Sequence, residues 1–159
     1  NGGGAVWDIG PYAIHTIRQC FNQNPERVRA IAKLNEHGAD ISTSGLIDFG
    51  NSKRATFDIS FECTRRSEFE AFGSLGRIKC PTVWQPEDKQ AKIIIDTESF
   101  GLTQEVVPAA NHFILEINHF NKVISSDVIP KLSNEDAFYN AKTLESIQES
   151  IKEDCWVNL

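Results

Sequence analysis

The spacing of hydrophobic residues divides the chain into a helical start, a middle of strands and a helical end. Near the start, apolar residues recur with the period of one helix face and predict a helix from Pro11 to Phe21. Two later stripes with the same period predict two more helices. Ser133 is expected to be the N-cap of the last one, with Asp136 able to reach back to it. The two stripes are Phe113, Ile117, Phe120 and Ile124, and Asn140, Leu144, Ile147 and Ile151.

The middle of the chain alternates apolar and polar residues, the period of a strand with one buried face. The clearest alternation follows the turn at residues 50–52 and predicts a hairpin between residues 41–49 and 55–62. Ala55, Phe57, Ile59 and Phe61 are expected to face the helices, and Thr56, Asp58, Ser60 and Glu62 the opposite side. Further strands are predicted over residues 27–34, 67–72, 77–80, 92–95 and 105–107.

This order of elements indicates an α+β fold. We expect a largely antiparallel β-sheet of five to seven strands with helices packed on one face. No repeat or linker is evident in the sequence, so residues 1–159 are interpreted as one domain. The chain contains no methionine, and we expect it to begin inside a longer protein.

Composition and charge narrow the class of protein. The 159 residues are 40% hydrophobic and 24% charged, as in a folded globular domain. The formal net charge of -6 argues against nucleic acid and anionic membranes as partners. No apolar run is long enough to span a membrane. Four widely spaced cysteines, without a zinc pattern, predict reduced thiols in the cytoplasm, with disulfides in a secreted domain as the alternative.

The densest group of residues capable of chemistry lies near the start of the chain. Asp8, Tyr12 and His15 stand four and then three residues apart, so on a helix or a kinked helix they share one face. A phenol beside a carboxylate and an imidazole can exchange the proton of a substrate hydroxyl, provided that a cation lowers the pKa of the phenol. The structural alternative is that Asp8 caps the helix while the other two are half-buried surface residues.

Other candidate sites carry less specific patterns. The glycines at residues 2–4 lack the GxGxxG and Walker patterns, which favours close backbone packing at a helix start over phosphate binding. His112 and His119 lack the HExxH order, so a solvated helix face is favoured and no metal site is predicted. Arg65 is expected beside a loop, where its guanidinium would either bind an anionic or hydroxylated ligand or remain solvated.

The start of the chain resembles the C-terminal domain of the glucose-fructose oxidoreductase, inositol dehydrogenase and rhizopine catabolism (Gfo/Idh/MocA) family, in the segment GGGAVWDIGPYAIHTIRQCF. The likeness continues through LIDFGNSKRATFDISFEC, FEAFGSLGRIKCP and NHFILEINHFNKVI to SNEDAFYNAKTLESIQESI, nearly the whole chain. It implies a C-terminal domain like that of glyceraldehyde-3-phosphate dehydrogenase, with an open, largely antiparallel mixed β-sheet and helices packed on one face. It also implies a homodimer formed through the sheet face that the helices leave open.

The resemblance implies site residues as well. The Asp-x-x-x-Tyr pair of that family falls on Asp8 and Tyr12, in the form found in its sugar oxidoreductase and dihydrodiol dehydrogenase branches. His15 falls where members often carry a substrate-facing polar residue, and Arg65 is a second candidate for substrate binding. In that family a dinucleotide-binding domain, with a GxGxxG loop and a catalytic lysine, precedes this region. Both are absent from this chain, so the chain alone is expected to be inactive.

The implied activity is that of an NAD- or NADP-dependent oxidoreductase. This chain would form its substrate-binding part, and hydride would move between the nicotinamide and a hydroxyl carbon of a sugar, polyol or dihydrodiol. Tyr12 would exchange the hydroxyl proton and Asp8 would orient it. The expected partners are a small-molecule substrate, the dinucleotide-binding domain and a second copy of the chain. The alternative is a non-catalytic dimerisation or ligand-binding domain that retains only the fold.

Overall fold

The computed structural model describes residues 3–84, 89–125 and 128–159 of the chain. Those residues form two compact units, Asn1–Cys63 with Leu132–Leu159, and Thr64–Lys131. The four described helices are α1 (Ala5–Asp8), α2 (Gly10–Phe21), α3 (His112–Ile124) and α4 (Asn134–Glu153). The eight described strands are β1 (Arg27–Leu34), β2 (Asp40–Asp48), β3 (Arg54–Ser60), β4 (Phe69–Gly73), β5 (Gly76–Cys80), β6 (Ala91–Thr97), β7 (Gly101–Val107) and β8 (Val157–Asn158).

The first unit contains a four-stranded sheet in the order β3-β2-β1-β8, and every neighbouring pair is antiparallel. Val28 pairs with Ile47, which pairs in turn with Ala55, so the inward-facing positions of the three long strands lie in register. The predicted hairpin is confirmed as β2 and β3. At its turn, residues 50–52 all have positive φ values, of 73°, 49° and 64°, which allow the chain to reverse tightly.

One hydrophobic core joins this sheet to α1, α2 and α4, and the predicted α+β layer is confirmed. Phe57 and Ile59 of β3 are buried, as their alternation predicts. Phe61 follows the end of β3 and is 51% exposed, so the core-facing alternation stops at Ile59. Fully burying side chains of this size contributes about 1.5–3 kcal/mol each. The fully buried Phe49, Ile14, Ile47 and Ile147 form the centre of this core.

Helices α2 and α4 pack against each other in opposite directions. The start of α2 meets the middle of α4, where Asn140 Nδ2 donates to the carbonyl oxygen of Pro11 over 3.2 Å. Gly10 lies in this contact, and a Cβ atom added to it would lie 2.9 Å from Leu144 Cδ2. Glycine therefore lets the first turn of α2 approach α4 closely.

The second unit contains an antiparallel sheet in the order β4-β5-β6-β7, together with α3. The predicted strands all appear, but they divide between two sheets instead of forming one, and every pair is antiparallel. An irregular segment at residues 61–68 separates β3 from β4. Periodicity identifies a strand but does not specify its partner, which is why the sequence suggested a single sheet.

Three further features bear on the predictions made for the histidines of α3, the cysteines and a membrane span. His119 accepts a hydrogen bond from the backbone N–H of Lys131 over 3.3 Å, and no cluster of three metal-ligating side chains occurs among the described residues. Cys20, Cys63 and Cys155 are free thiols. No helix within the described ranges has both the length and the apolar character needed to cross a membrane.

Candidate functional site

The segment that carries Asp8, Tyr12 and His15 is a broken helix in the first unit. The chain forms α1 up to Asp8, passes through Ile9 and continues as α2 from Gly10. Pro11 lies in the first turn of α2, where its missing N–H costs no helical hydrogen bond. The N-cap of α2 is Ile9 and no side chain caps it, so the structural alternative for Asp8 as a cap is wrong.

A buried carboxylate anchors the start of this segment. Asp40 Oδ2 accepts hydrogen bonds from the Val6 backbone N–H (2.8 Å) and the Thr43 hydroxyl (3.1 Å), and its Oδ1 accepts one from Gln148 (3.0 Å). It thus performs the role of an N-cap from a neighbouring strand.

A Cβ on Gly4 would lie 2.7 Å from the Asp40 carbonyl oxygen, and the φ of Gly4 is 84°. The predicted close backbone packing of the glycines is confirmed at Gly4.

The outward face of the same segment presents Asp8 and Tyr12. Both are exposed, and Tyr12 is 53% accessible to solvent although Val6 and Ile14, on the other face, are fully buried. Neither side chain makes a hydrogen bond or ion pair within the part of the chain that the structure describes. The buried face therefore fixes the backbone, while the phenol and the carboxylate remain available to a ligand.

His15 lies on α2, as Tyr12 does, but its side chain already has a neighbour. Its Nδ1 atom is 3.4 Å from Asp136 Oδ2, and its side chain is 33% exposed. Sequence spacing placed His15 with Asp8 and Tyr12, and the structure keeps all three on one helical segment. Asp136, which comes from the first turn of α4, joins them as a residue that the sequence did not suggest for this site.

Arg18 is a buried cation that the sequence analysis missed. Its side chain is 5% exposed. The Nη1 atom lies 3.1 Å from Asp136 Oδ1 and donates a hydrogen bond to the Asp136 carbonyl oxygen over 3.0 Å. Its Nε and Nη2 atoms donate to Asn24 Oδ1 over 3.2 Å and 2.8 Å. The available signal was its position four residues after Ile14 on the buried face, since a buried charge requires a partner.

Arg65 lies in the irregular segment before β4 and belongs to the second unit, whereas Asp8, Tyr12 and His15 belong to the first. Its proposed role in substrate binding stays a prediction.

A shallow polar cleft of about 350 Å³ lies at the other end of α2, where it meets the start of α4. Both of its glutamines already make hydrogen bonds within the protein. Gln19 Nε2 donates to Asp136 Oδ1, and Gln23 donates to the Phe49 carbonyl oxygen and accepts from Lys53. Tyr12 is not among its lining residues, which are Arg18, Gln19, Asn22, Gln23, Asn24, Ser133, Glu135, Asp136 and Tyr139.

Solved structures with the same fold define the class of protein. A 3-ketoreductase from Actinomadura kijaniata, crystallised with TDP-benzene and NADP, matches with a TM-score of 0.84 at 24% identity, over 94% of this chain and 48% of its own. An aldose-aldose oxidoreductase from Caulobacter crescentus matches with a TM-score of 0.83 at 16% identity, over 99% of this chain and 48% of its own. The fold is that of an oxidoreductase C-terminal domain.

Sequence relatives make the assignment more specific. An uncharacterized oxidoreductase of Rhizobium meliloti is 30% identical over 98% of this chain and 48% of its own length. A D-xylose 1-dehydrogenase (NADP(+)) of Haloferax volcanii is 22% identical over 99% of this chain and 48% of its own length. A trans-1,2-dihydrobenzene-1,2-diol dehydrogenase of Xenopus tropicalis is 32% identical over 54% of this chain and 26% of its own length.

Residues 1–79 match the GFO/IDH/MocA C-terminal domain. The chain belongs to this family, as its sequence resemblance predicted. It spans about half the length of the two relatives that match it from end to end.

Proposed function

We propose that this chain is the substrate-binding part of an NADP- or NAD-dependent oxidoreductase acting on a hydroxyl carbon of a sugar, polyol or dihydrodiol. The observation that carries the proposal is the exposed Tyr12 with Asp8 one turn before it, on a segment whose opposite face is buried. The named relatives support the substrate class, since they include xylose and dihydrodiol dehydrogenases. The NADP in the name of the xylose dehydrogenase favours that cofactor.

The nucleotide phosphates do not fit this chain. The sequence has no GxGxxG loop, and the Val6 N–H at the start of α1 is already bonded to the Asp40 carboxylate, a group that repels phosphate. We therefore assign the phosphates to a separate dinucleotide-binding domain, and we expect this chain alone to be inactive. The free thiols Cys20, Cys63 and Cys155 support a cytoplasmic location.

The residues of this chain would act on the proton and on the orientation of the substrate. A bound nicotinamide supplies the hydride acceptor or donor. The Tyr12 hydroxyl takes the proton of the substrate hydroxyl during oxidation and returns it during reduction. Asp8 orients that hydroxyl, and His15 binds a further polar group of the substrate. The family resemblance implies that the cation favouring the phenolate would be the lysine of the dinucleotide-binding domain.

Tyr12→Phe tests this function in the protein joined to its dinucleotide-binding domain. We expect kcat to fall by about 10² to 10⁴, because one group in proton transfer contributes that much. The chain provides a matched control, since its second tyrosine, Tyr139, lies on α4. Tyr139→Phe should retain activity, and both variants should keep their unfolding midpoints. Unchanged turnover of the best substrate by the Tyr12 variant would show that Tyr12 has a structural role and not a catalytic one.

A further inference from the structure

The carboxylate of Asp136 turns towards α2 and not back along its own helix. The sequence predicted Ser133 as the N-cap of α4, which is confirmed by the bond from the Asp136 N–H to Ser133 Oγ (3.1 Å). The reciprocal contact, in which the Asp136 side chain reaches back, is wrong. Arg18 and Gln19 of α2 hold that carboxylate instead, and His15 of the same helix lies 3.4 Å from it.

These contacts fix one carboxylate oxygen firmly. Asp136 Oδ1 accepts a hydrogen bond from Gln19 Nε2 (3.1 Å) and lies 3.1 Å from Arg18 Nη1. The guanidinium is itself held by Asn24 and is 5% exposed. A charge pair shielded from water to this extent is costly to separate, so the carboxylate keeps one orientation.

The second oxygen of this fixed carboxylate faces His15. Asp136 Oδ2 lies 3.4 Å from His15 Nδ1, and the Asp136 side chain is 16% exposed. An ionised carboxylate only accepts hydrogen bonds, so it favours the proton on Nδ1. A neutral imidazole protonated on Nδ1 has a bare Nε2, which can only accept.

We propose that Asp136 is a positioning residue that holds His15 in the Nδ1–H tautomer, so that its Nε2 accepts a hydrogen bond from the substrate. This inference rests on the proposed function, because it takes Tyr12 as the proton-transfer group. His15 lies one helical turn after Tyr12 on the same helix. An acceptor beside the proton-transfer group selects a substrate with a second hydroxyl as donor. The site would therefore prefer a diol or polyol over a simple alcohol.

The tautomer can be measured directly on the full chain by long-range ¹H–¹⁵N NMR, at a pH at which the imidazole is neutral. His15→Gln identifies the His15 signals among the four histidines. We expect the wild-type signals of the Nδ1–H form, and loss of that preference in Asp136→Asn. Glu135→Gln removes a carboxylate from the same turn of α4 and should leave the signals unchanged.

The wild-type spectrum alone decides the tautomer if Asp136→Asn fails to fold. A wild-type His15 protonated on Nε2 would overturn the proposal. An Asp136→Asn variant that folds and keeps the Nδ1–H form would overturn it as well.

Activity separates this inference from the proposed function. In the protein with its dinucleotide-binding domain, Asp136→Asn should lower kcat/KM for a polyol about tenfold, as loss of a group that orients a histidine commonly does. It should affect an analogue without the neighbouring hydroxyl much less. Equal losses on both substrates would contradict the positioning role. Absence of any dehydrogenase activity in the wild type would refute the proposed function and leave the NMR result standing on its own.

Discussion

Asp48 shows how a single residue can make the fold sensitive to pH. Its Oδ2 accepts hydrogen bonds from Arg27 Nε (3.0 Å) and Nη2 (2.8 Å), and its Oδ1 accepts one from the Gly50 N–H (3.0 Å). The Arg27 guanidinium also lies 4.7 Å from the centre of the Trp156 ring. The hydrogen bond from Arg27 holds the pKa of Asp48 below its usual value of 3.8.

The direction of the pH effect follows from that lowered pKa. The folded state prefers ionised Asp48, so this carboxylate stabilises the protein above about pH 4 and the contribution disappears as the pH falls further. Asp48→Asn should lower the thermal unfolding midpoint at pH 7, and the difference from wild type should vanish near pH 2. Glu36→Gln, at a side chain that is 86% exposed, is the control. A difference that persisted at pH 2 would show that the charge of Asp48 is not the cause.

At the scale of elements, the start of α1 depends on one glycine. Gly4 has φ 84° and ψ -172°, a conformation that only glycine adopts readily, and it lies against Asp40. Gly4→Ala should lower the free energy of unfolding by about 3 kcal/mol, measured by urea denaturation. Gly38 has a similar φ of 80° with open space around it, so Gly38→Ala should cost only about 1–2 kcal/mol. Equal losses would mean that the contact with Asp40 contributes nothing.

Elements with a strong local pattern were predictable from the sequence. The bounds of β1 match the prediction of residues 27–34, and the N-cap at Ser133 is confirmed, because alternation and capping depend on neighbouring residues. Helix α1 and strand β8 were missed. They contain four and two residues, which is too short for a period to show.

Features that depend on distant contacts were not predictable. The two strand meanders give no local sign that they belong to separate sheets. The same limit applies to the site. Spacing predicted that Asp8, Tyr12 and His15 share one helix face, and their joint role stays a prediction. Only the packing of α2 on α4 brings Asp136 to His15. Local sequence cannot encode a contact between residues so far apart.

At the scale of the molecule, the sheet of the first unit has an open face. Side chains on that face include Ile31, which is 65% exposed, and Lys33, whose Nζ lies 2.8 Å from Glu62. The ion pair with Lys33 offsets the negative charge that Glu62 would bring to a contact between two copies on this face. An antiparallel sheet can leave such a face in water, so exposure alone does not demand a partner.

We predict that two copies of the chain pair through this face about a two-fold axis. Sedimentation at tens of micromolar protein should give twice the 17.8 kDa chain mass, with weaker association at high salt because charged groups contribute. Ile31→Lys should shift the protein towards monomer. Leu75→Lys is the control, because it changes an 84% exposed residue of the other unit. It should not shift the protein towards monomer. Only monomer at these concentrations would contradict the prediction.

The long-range anchors of the first two helices also bear on the order in which the protein folds. Asp40 binds Val6 across 34 residues, Arg18 binds Asp136 across 118, and Asn140 binds Pro11 across 129. Contacts that close such long loops lose chain entropy before they gain energy, so they form slowly. The helix that carries Tyr12 is synthesised before α4, and we expect it to take its final form only when α4 has docked against it.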